Sequence, residues 1–330
     1  MIIRQLCRRQ GRALFGAVRP SFQSRYHSTE TETVAQISQS TDPIQAVQPK
    51  ALAEEQPALS EQFRNLTARR VRFNELGSQV KSAYEPENLL RNPPGLSDIT
   101  LELLLASQSH LGHATSLWNP RNSSYIFGIR DGIHIISLEV TAAYLRRAAK
   151  VVEEVARRGG LILFVGTRKG QRRAVVRAAE LAQGYHVFER WVPGSITNGQ
   201  QILGHCELKV VDEFDNELPR YKENVSEQPV LRPDLVVCLN PIENEPLLTE
   251  CRAYNIPTIG IIDTDADALM VTYPIPANDD SLRSVAVIAG VLGRAGEAGQ
   301  KARLQQSRTG KLPYERVSMK KLMPDSEGSS

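Results

Sequence analysis

The chain of 330 residues is poor in sulfur and in aromatic groups, with four cysteines, four methionines, two tryptophans and 6% aromatic residues. The cysteines, at positions 7, 206, 238 and 251, stand far apart and form no C-x-x-C, a spacing that supports neither a zinc ribbon nor a disulfide framework. Free thiols in a reducing compartment are the expectation. No apolar run approaches the ~20 residues a membrane helix needs, so no membrane partner is expected. There is no G-x-G-x-x-G, no P-loop and no G-x-S-x-G elbow. No catalytic set is found, and no cofactor is expected.

Acidic residues are missing from one end. Arg4, Arg8, Arg9, Arg12, Arg19 and Arg25 stand among Leu, Ala, Phe and Ser, and no Asp or Glu precedes Glu30. An arginine-rich, acid-free, serine-bearing segment of this kind reads as an organelle transit peptide, here residues 1–28, with cleavage between Tyr26 and Thr29; the alternative is a basic arm that stays on and touches RNA. Setting those six arginines aside lowers the 40 cations to 34, against 37 anions. The net +3 of the whole chain therefore belongs to this segment, and any contact with a polyanion in the remainder must come from local patches.

Residues 29–94 are rich in Gln, Ser, Glu, Thr and Pro, with apolar residues too scattered to form a face, and are expected to be largely disordered. One exception stands out: Phe63, Leu66, Val71, Phe73 and Leu76 suffice for a short helix between Ser60 and Tyr84 that folds on a partner. Residues 308–330, with Lys311, Arg316, Lys320 and Lys321, read as a basic flexible tail.

The body, residues 95–307, alternates apolar strands with helices. A helix capped by Ser97 or Asp98 is expected from Leu101 to His110. A short strand covers Ile133–Ile136, and a helix follows with Val140, Tyr144, Ala148, Val151, Val152 and Val155 on one face, Glu153–Arg157 and Glu154–Arg158 as ion pairs, and a stop at Gly159-Gly160. Strands are expected at 161–165, 186–190, 235–239 and 258–262, and helices at 171–183, 246–254 and 279–306, the last with Asn278 as its N-cap. Strands apolar throughout imply a parallel sheet covered on both faces. The expectation is an α/β fold, a three-layer sandwich with a mostly parallel central sheet, flavodoxin-like. Its right-handed crossovers gather Thr167 to Lys169, Trp191 to Asn198, Asn240-Pro241 and Asp263 to Asp265 along one edge.

Several motifs in this body are specific. Leu111-Gly112-His113 leads to Trp118-Asn119-Pro120, Tyr125 to Gly128 and Gly132 to Ile136; Leu163 to Lys169 follows, then Arg190-Trp191 with Pro193-Gly194 and Thr197-Asn198, Pro233 to Val237, and Tyr273 to Pro276 running into Asn278-Asp279-Asp280. In this order they resemble the small-subunit ribosomal protein S-two family of bacterial type, over about Leu96 to Ala295. The resemblance implies a non-enzymatic component of a small ribosomal subunit that contacts rRNA and neighbouring ribosomal proteins and takes no small-molecule substrate. Joined to the transit-like N-terminus, it implies the mitochondrial ribosome, in the matrix. Bacterial members carry a long helical hairpin after the Thr-Asn of the motif. The interval from Gly199 to Arg232 is short, holds Pro219 and Pro229 and has no heptad pattern, so the hairpin is expected to be missing.

The candidate RNA-binding residues fall in three groups. Lys169, Arg173 and Arg177 repeat every fourth residue, joined by Arg168 and Arg172, with only Glu180 placed to relieve them; together with the resemblance, this cluster without interleaved acids favours rRNA phosphate over a merely solvated face. Trp118-Asn119-Pro120-Arg121 and Arg190-Trp191, with Asn198 beyond, place aromatics beside cations, a combination that can stack on an unpaired base or anchor a loop. No metal site is expected: Gly112 interrupts the H-x-x-H of His110 and His113, and Asp263, Asp265 and Asp267 lack the glycine and glutamate of a calcium loop and more readily order the loop itself. Two rival readings are an α/β enzyme binding a phosphorylated or nucleotide ligand at the 166–170 loop, and a partner-binding protein whose affinity lies in its arms.

Overall fold

The structure, a computed structural model, describes residues 2–6, 59–75, 84–219, 230–310 and 312–314. The chain divides into two units, residues 10–83 and residues 1–9 with 84–330. Of the first, helix α1 (Leu59–Glu75) is described. It meets the expectation of a helix within 60–84.

In the second unit, strand β1 (Ile2–Leu6) is followed by helices α2 (Pro86–Arg91) and α3 (Leu101–Ala106), strands β2 (Leu111–Ala114), β3 (Ile126–Arg130) and β4 (Ile133–Ile136), and helix α4 (Leu138–Arg157). Then come β5 (Ile162–Val165), α5 (Arg172–Ala182), β6 (Tyr185–Val187), α6 (Gly199–Leu203) and β7 (Glu207–Val211). The chain continues through β8 (Leu235–Cys238), α7 (Glu245–Ala253), β9 (Thr258–Ile262), β10 (Tyr273–Pro276) and α8 (Leu282–Arg308).

Five strands form a parallel sheet in the order β10-β9-β8-β5-β6, flanked by helices. Counted by occurrence, the spatial order is second, first, third, fourth, fifth. Alternate residues of each strand feed two cores, as the pleat requires. Ile162 and Phe164, Leu235 and Val237, and Ile259 and Ile261 face α4, α5 and α8. Val165, Val236, Cys238 and Ile262 face Leu247, Leu248 and Cys251 of α7, together with Trp191 and Ile196. Cys238 and Cys251 are free, and burial pushes both thiols up to about 12, which keeps them unreactive at neutral pH. Cys206 departs from the free-thiol expectation, being disulfide-bonded.

Two further sheets were not expected from the sequence, although one of their strands, Ile133–Ile136, was. β2, β4 and β3 form an antiparallel sheet, its β3–β4 hairpin closed by Asp131 (φ 51°) and Gly132 (φ 76°), the two left-handed residues of a tight primed turn. β1 pairs antiparallel with β7. β10 was also missed, because Pro274 and Pro276 argue against a strand; at the sheet's margin, paired to β9 alone, their missing N–H groups cost nothing.

Helix α4 buries Ala142, Leu145, Ala148, Ala149, Val152 and Ala156, a stripe rotated from the expected valine face. Alanines win because α8 approaches so closely: a Cβ on Gly299 would lie 2.2 Å from the Glu153 carbonyl and 2.8 Å from the Ala156 Cβ. Of the two expected ion pairs, Glu154–Arg158 forms (3.0 Å), whereas Arg157 turns to Glu154 (2.7 Å) in place of Glu153. Helix α3 ends at Ala106, well before His110, and is capped by the Thr100 hydroxyl, which accepts from the Leu103 N–H, while Asp98 accepts from the Gly95 N–H one turn earlier. Helix α8 begins at Leu282 after Ser281; the Asn278 side-chain oxygen instead accepts from the Asp280 and Ser281 N–H groups in the turn that leads in.

Arg303 of α8 is fully buried and donates to Gln300 (2.8 Å), to the Glu213 carbonyl (3.3 Å) and to Asp215, tying the turn after β7 to the helix. The folded unit also takes in residues ahead of 95. α2 packs on α5 and α8, and Pro93 sits against Gly290.

Candidate nucleic-acid interface

The loops after β5, β8 and β9 meet as expected. Asn240, immediately after β8, accepts from the Thr167 N–H (3.1 Å) and donates to the Thr167 hydroxyl (2.9 Å) and to Glu243 (2.8 Å), while Asn244 donates back to the Asn240 carbonyl oxygens at 2.9 Å. Arg168 lies at the centre, bonded to Glu243 (2.9 Å), Asp279 (3.1 Å) and Asp280 (2.6 Å). Burial works against its charge, but the three carboxylates outweigh burial and hold the guanidinium protonated. Asp279 is almost wholly buried, and burial raises its carboxyl to about 6 despite Arg168. Three carboxylates thus engage Arg168 beside the 166–170 loop, which leaves Lys169 as the loop's exposed cation without a carboxylate partner among the described residues.

His113 joins this network from β2. Its Nδ1 faces Asp263 at 3.3 Å, and its Nε2 faces Asp280 at 3.3 Å and Asp265 at 3.7 Å. Asp263 first, with Asp265 and Asp280, raises the imidazole to about 9 against the opposing effect of burial. His113, Asp263 and Asp265 offer one ligand atom each within 4.8 Å of one another, a set able to hold a divalent cation. The H-x-x-H spacing pointed elsewhere, for His110 is not in this group and burial lowers its basicity. Asp267 leaves the expected aspartate row: it pairs with Arg121 at 2.5 Å and accepts from the Leu269 N–H at 2.9 Å.

The Trp118 to Arg121 segment is anchored to the same loop. The Asn119 N–H donates to the Thr264 carbonyl (2.7 Å), and its side chain accepts from the Arg121 N–H (3.1 Å). Asn122, buried, donates to the carbonyls of Asp263, Thr264 and Ala266 at 2.7–3.2 Å. Trp118 is half-buried, its ring 5.2 Å from that of His134.

The α5 cations have partners that the local sequence does not supply. Arg173 binds Glu87 of α2 at 2.5 Å, and Arg177 donates to the Arg91 carbonyl (3.0 Å) and faces Glu180 (3.4 Å). Arg172 lies over the Phe188 ring at 4.5 Å. Lys169 and Arg190 are exposed, with no hydrogen bond or ion pair among the described residues.

The loop carrying Arg190, Trp191 and Asn198 is organised by a residue that the sequence reading missed. Glu250 of α7, 8% exposed, accepts from Gly194 N–H (2.7 Å), Ile196 N–H (2.9 Å), Thr197 N–H (3.2 Å) and Trp191 Nε1 (3.2 Å). Burial alone would raise its carboxyl; these four donors outweigh it and hold the carboxyl below the ordinary range. Trp191 is 9% exposed and serves as the loop's anchor in the α7 core, while Arg190 and Asn198 remain exposed. A glutamate set among the buried Leu247, Leu248 and Cys251 is the signal that would have revealed it.

Residues 104–299 match the family described as ribosomal protein S2. The chain belongs to that family. It is 55% identical over 287 residues to small ribosomal subunit protein uS2m of Neurospora crassa, covering 87% of this chain and 66% of that protein. It is 48% identical over 236 residues to uS2m of Schizosaccharomyces pombe, covering 70% of this chain and 89% of that one. A bacterial relative, uS2 of Microcystis aeruginosa, is 36% identical over 63% of this chain. Membership of a structural, non-enzymatic ribosomal protein family sets the enzyme reading aside.

Proposed function

We propose that the chain is a structural constituent of the mitochondrial small ribosomal subunit, associated with its rRNA and with neighbouring proteins in support of mitochondrial translation. The observation that carries this reading is the alignment of 87% of the chain with a mitochondrial small-subunit protein at 55% identity. The Schizosaccharomyces pombe protein supports it from the other side, since 89% of its length is covered.

Residues 1–28 direct the chain to the matrix, a reading supported by six arginines without an acid; cleavage there would strip β7 of its partner β1. The body is a flavodoxin-like three-layer sandwich, supported by its strand order and by helices on both faces. The bacterial hairpin is missing, supported by a five-residue helix and one strand in the described part of the interval, residues 199–219.

RNA contact rests first on Lys169, Arg172 and Arg190, which present cations without carboxylate partners among the described residues, and on the exposed Asn198. Arg173 and Arg177 can join by exchanging exposed partners for phosphate, because exposed ion pairs contribute only about 0–1 kcal/mol. Arg168, Trp118, Asn119, Arg121 and Trp191 shape the loops that present these groups. Charge reversal of Lys169, Arg172 and Arg190 together should weaken incorporation into the small subunit most at low salt, the deficit narrowing as salt rises and screens the wild-type contacts; incorporation equal to wild type across a salt series refutes a phosphate role.

A further inference from the structure

Helix α1 stands open along its length: residues 59–72 are all exposed, among them Leu59 (88%), Phe63 (72%), Leu66 (63%) and Val71 (55%). At about 3.6 residues per turn, Leu59, Phe63 and Leu66 share one stripe that Arg70 continues and Arg69 borders, while Glu61 and Glu75 fall on the opposite face. At 17 residues, with Asn65, Thr67, Val71 and Asn74 among them, α1 is close to the length at which an isolated helix is marginal in water, and several of its residues are poor helix formers. Both the open apolar stripe and the helical conformation call for a covering surface.

We infer that α1 docks by this stripe into an apolar groove with an acidic rim on a neighbouring protein of the small subunit. The inference rests on the function proposed above and adds the partner's chemistry. A protein fits better than RNA because a phosphate backbone would satisfy the arginines and leave Leu59, Phe63 and Leu66 in water. The rim is acidic because Arg69 and Arg70 lie beside and on the stripe with no acid among them, while Glu61 and Glu75 lie behind it and are balanced there by Arg64 and Arg72; an acidic surface therefore gains contacts along the stripe and a basic one is repelled.

The test replaces Leu59, on the stripe itself, by a photoreactive benzophenone residue in the full chain, expressed in mitochondria, and maps adducts in small subunits isolated on a gradient. The expected adduct is with a subunit protein, at a peptide bearing Asp or Glu, its yield falling about tenfold or more in Phe63→Asp/Leu66→Asp and markedly in Arg69→Glu/Arg70→Glu. An adduct on rRNA or on residues 84–310 of this chain, or no adduct although the chain is in the subunit peak, overturns the docking inference alone. Absence of the chain from that peak overturns the underlying function, and the inference with it.

Discussion

Replacing Glu250 by alanine removes the acceptor of four hydrogen bonds at once: three backbone N–H groups of the 194–197 loop and the Trp191 indole. Bonds to an ionised, buried carboxylate are worth ~1.5–3 kcal/mol each, and stranding their donors adds desolvation, but the set is not additive and the loop relaxes toward water. The expected loss is about 3–5 kcal/mol, a large fraction of the ~5–15 kcal/mol of a typical domain. Glu250→Gln keeps one acceptor oxygen and points an amide N–H₂ at the remaining donors, so it should lose about 1–3 kcal/mol. Urea unfolding of the purified full chain, followed by tryptophan fluorescence, measures both. The emission of Trp191 should also shift to the red below the main transition as its loop loosens. An alanine variant within about 0.5 kcal/mol of wild type would refute the reasoning.

The same carboxyl sets a pH dependence. Its folded value lies below the ordinary 4.5, so its stabilisation is complete above that value and is lost as pH falls through the lower folded one. The gap between wild type and Glu250→Gln should therefore narrow in acid, and a gap constant from pH 7 to 3 would contradict it. Gly299→Ala forces a Cβ against the Glu153 carbonyl and should cost about 1–3 kcal/mol in urea unfolding, even though alanine favours helices; unchanged or greater stability would show that α4 and α8 separate freely. Arg303→Ala removes a buried donor from Asp215 and from the Glu213 carbonyl and opens a cavity, and should cost about 3–5 kcal/mol, whereas Arg303→Met should recover part of it; equal losses would rule out a packing share.

What the sequence made legible was set by periodicity. β5, β8 and β9 and the helices packed on them are readable because each of these strands is buried on both faces, so the signal is continuous. β10 was hidden by two prolines that a marginal strand tolerates. The β3–β4 hairpin could have been read from Asp131-Gly132 between short apolar runs, a turn signal present in plain view.

The site was less legible because its electrostatics are long-range in sequence. The basic run at 168–177 lacks acids nearby, but folding brings Glu87, Glu243, Asp279 and Asp280 to Arg168 and Arg173. Likewise, nothing at 110–113 alone reveals that His113 meets Asp263 and Asp265. The buried glutamate on α7 was visible as a charge on an apolar face, yet which loop it holds depends on the crossover from β6 to α7.

Sedimentation of a mitochondrial lysate, with this chain tracked by immunoblot and the small-subunit rRNA by hybridisation, tests the central claim most directly. The chain is expected in the small-subunit peak, in constant ratio to the rRNA and retained at moderate salt. A chain found only at the top of the gradient, with the rRNA peak intact and free of it, would contradict the account.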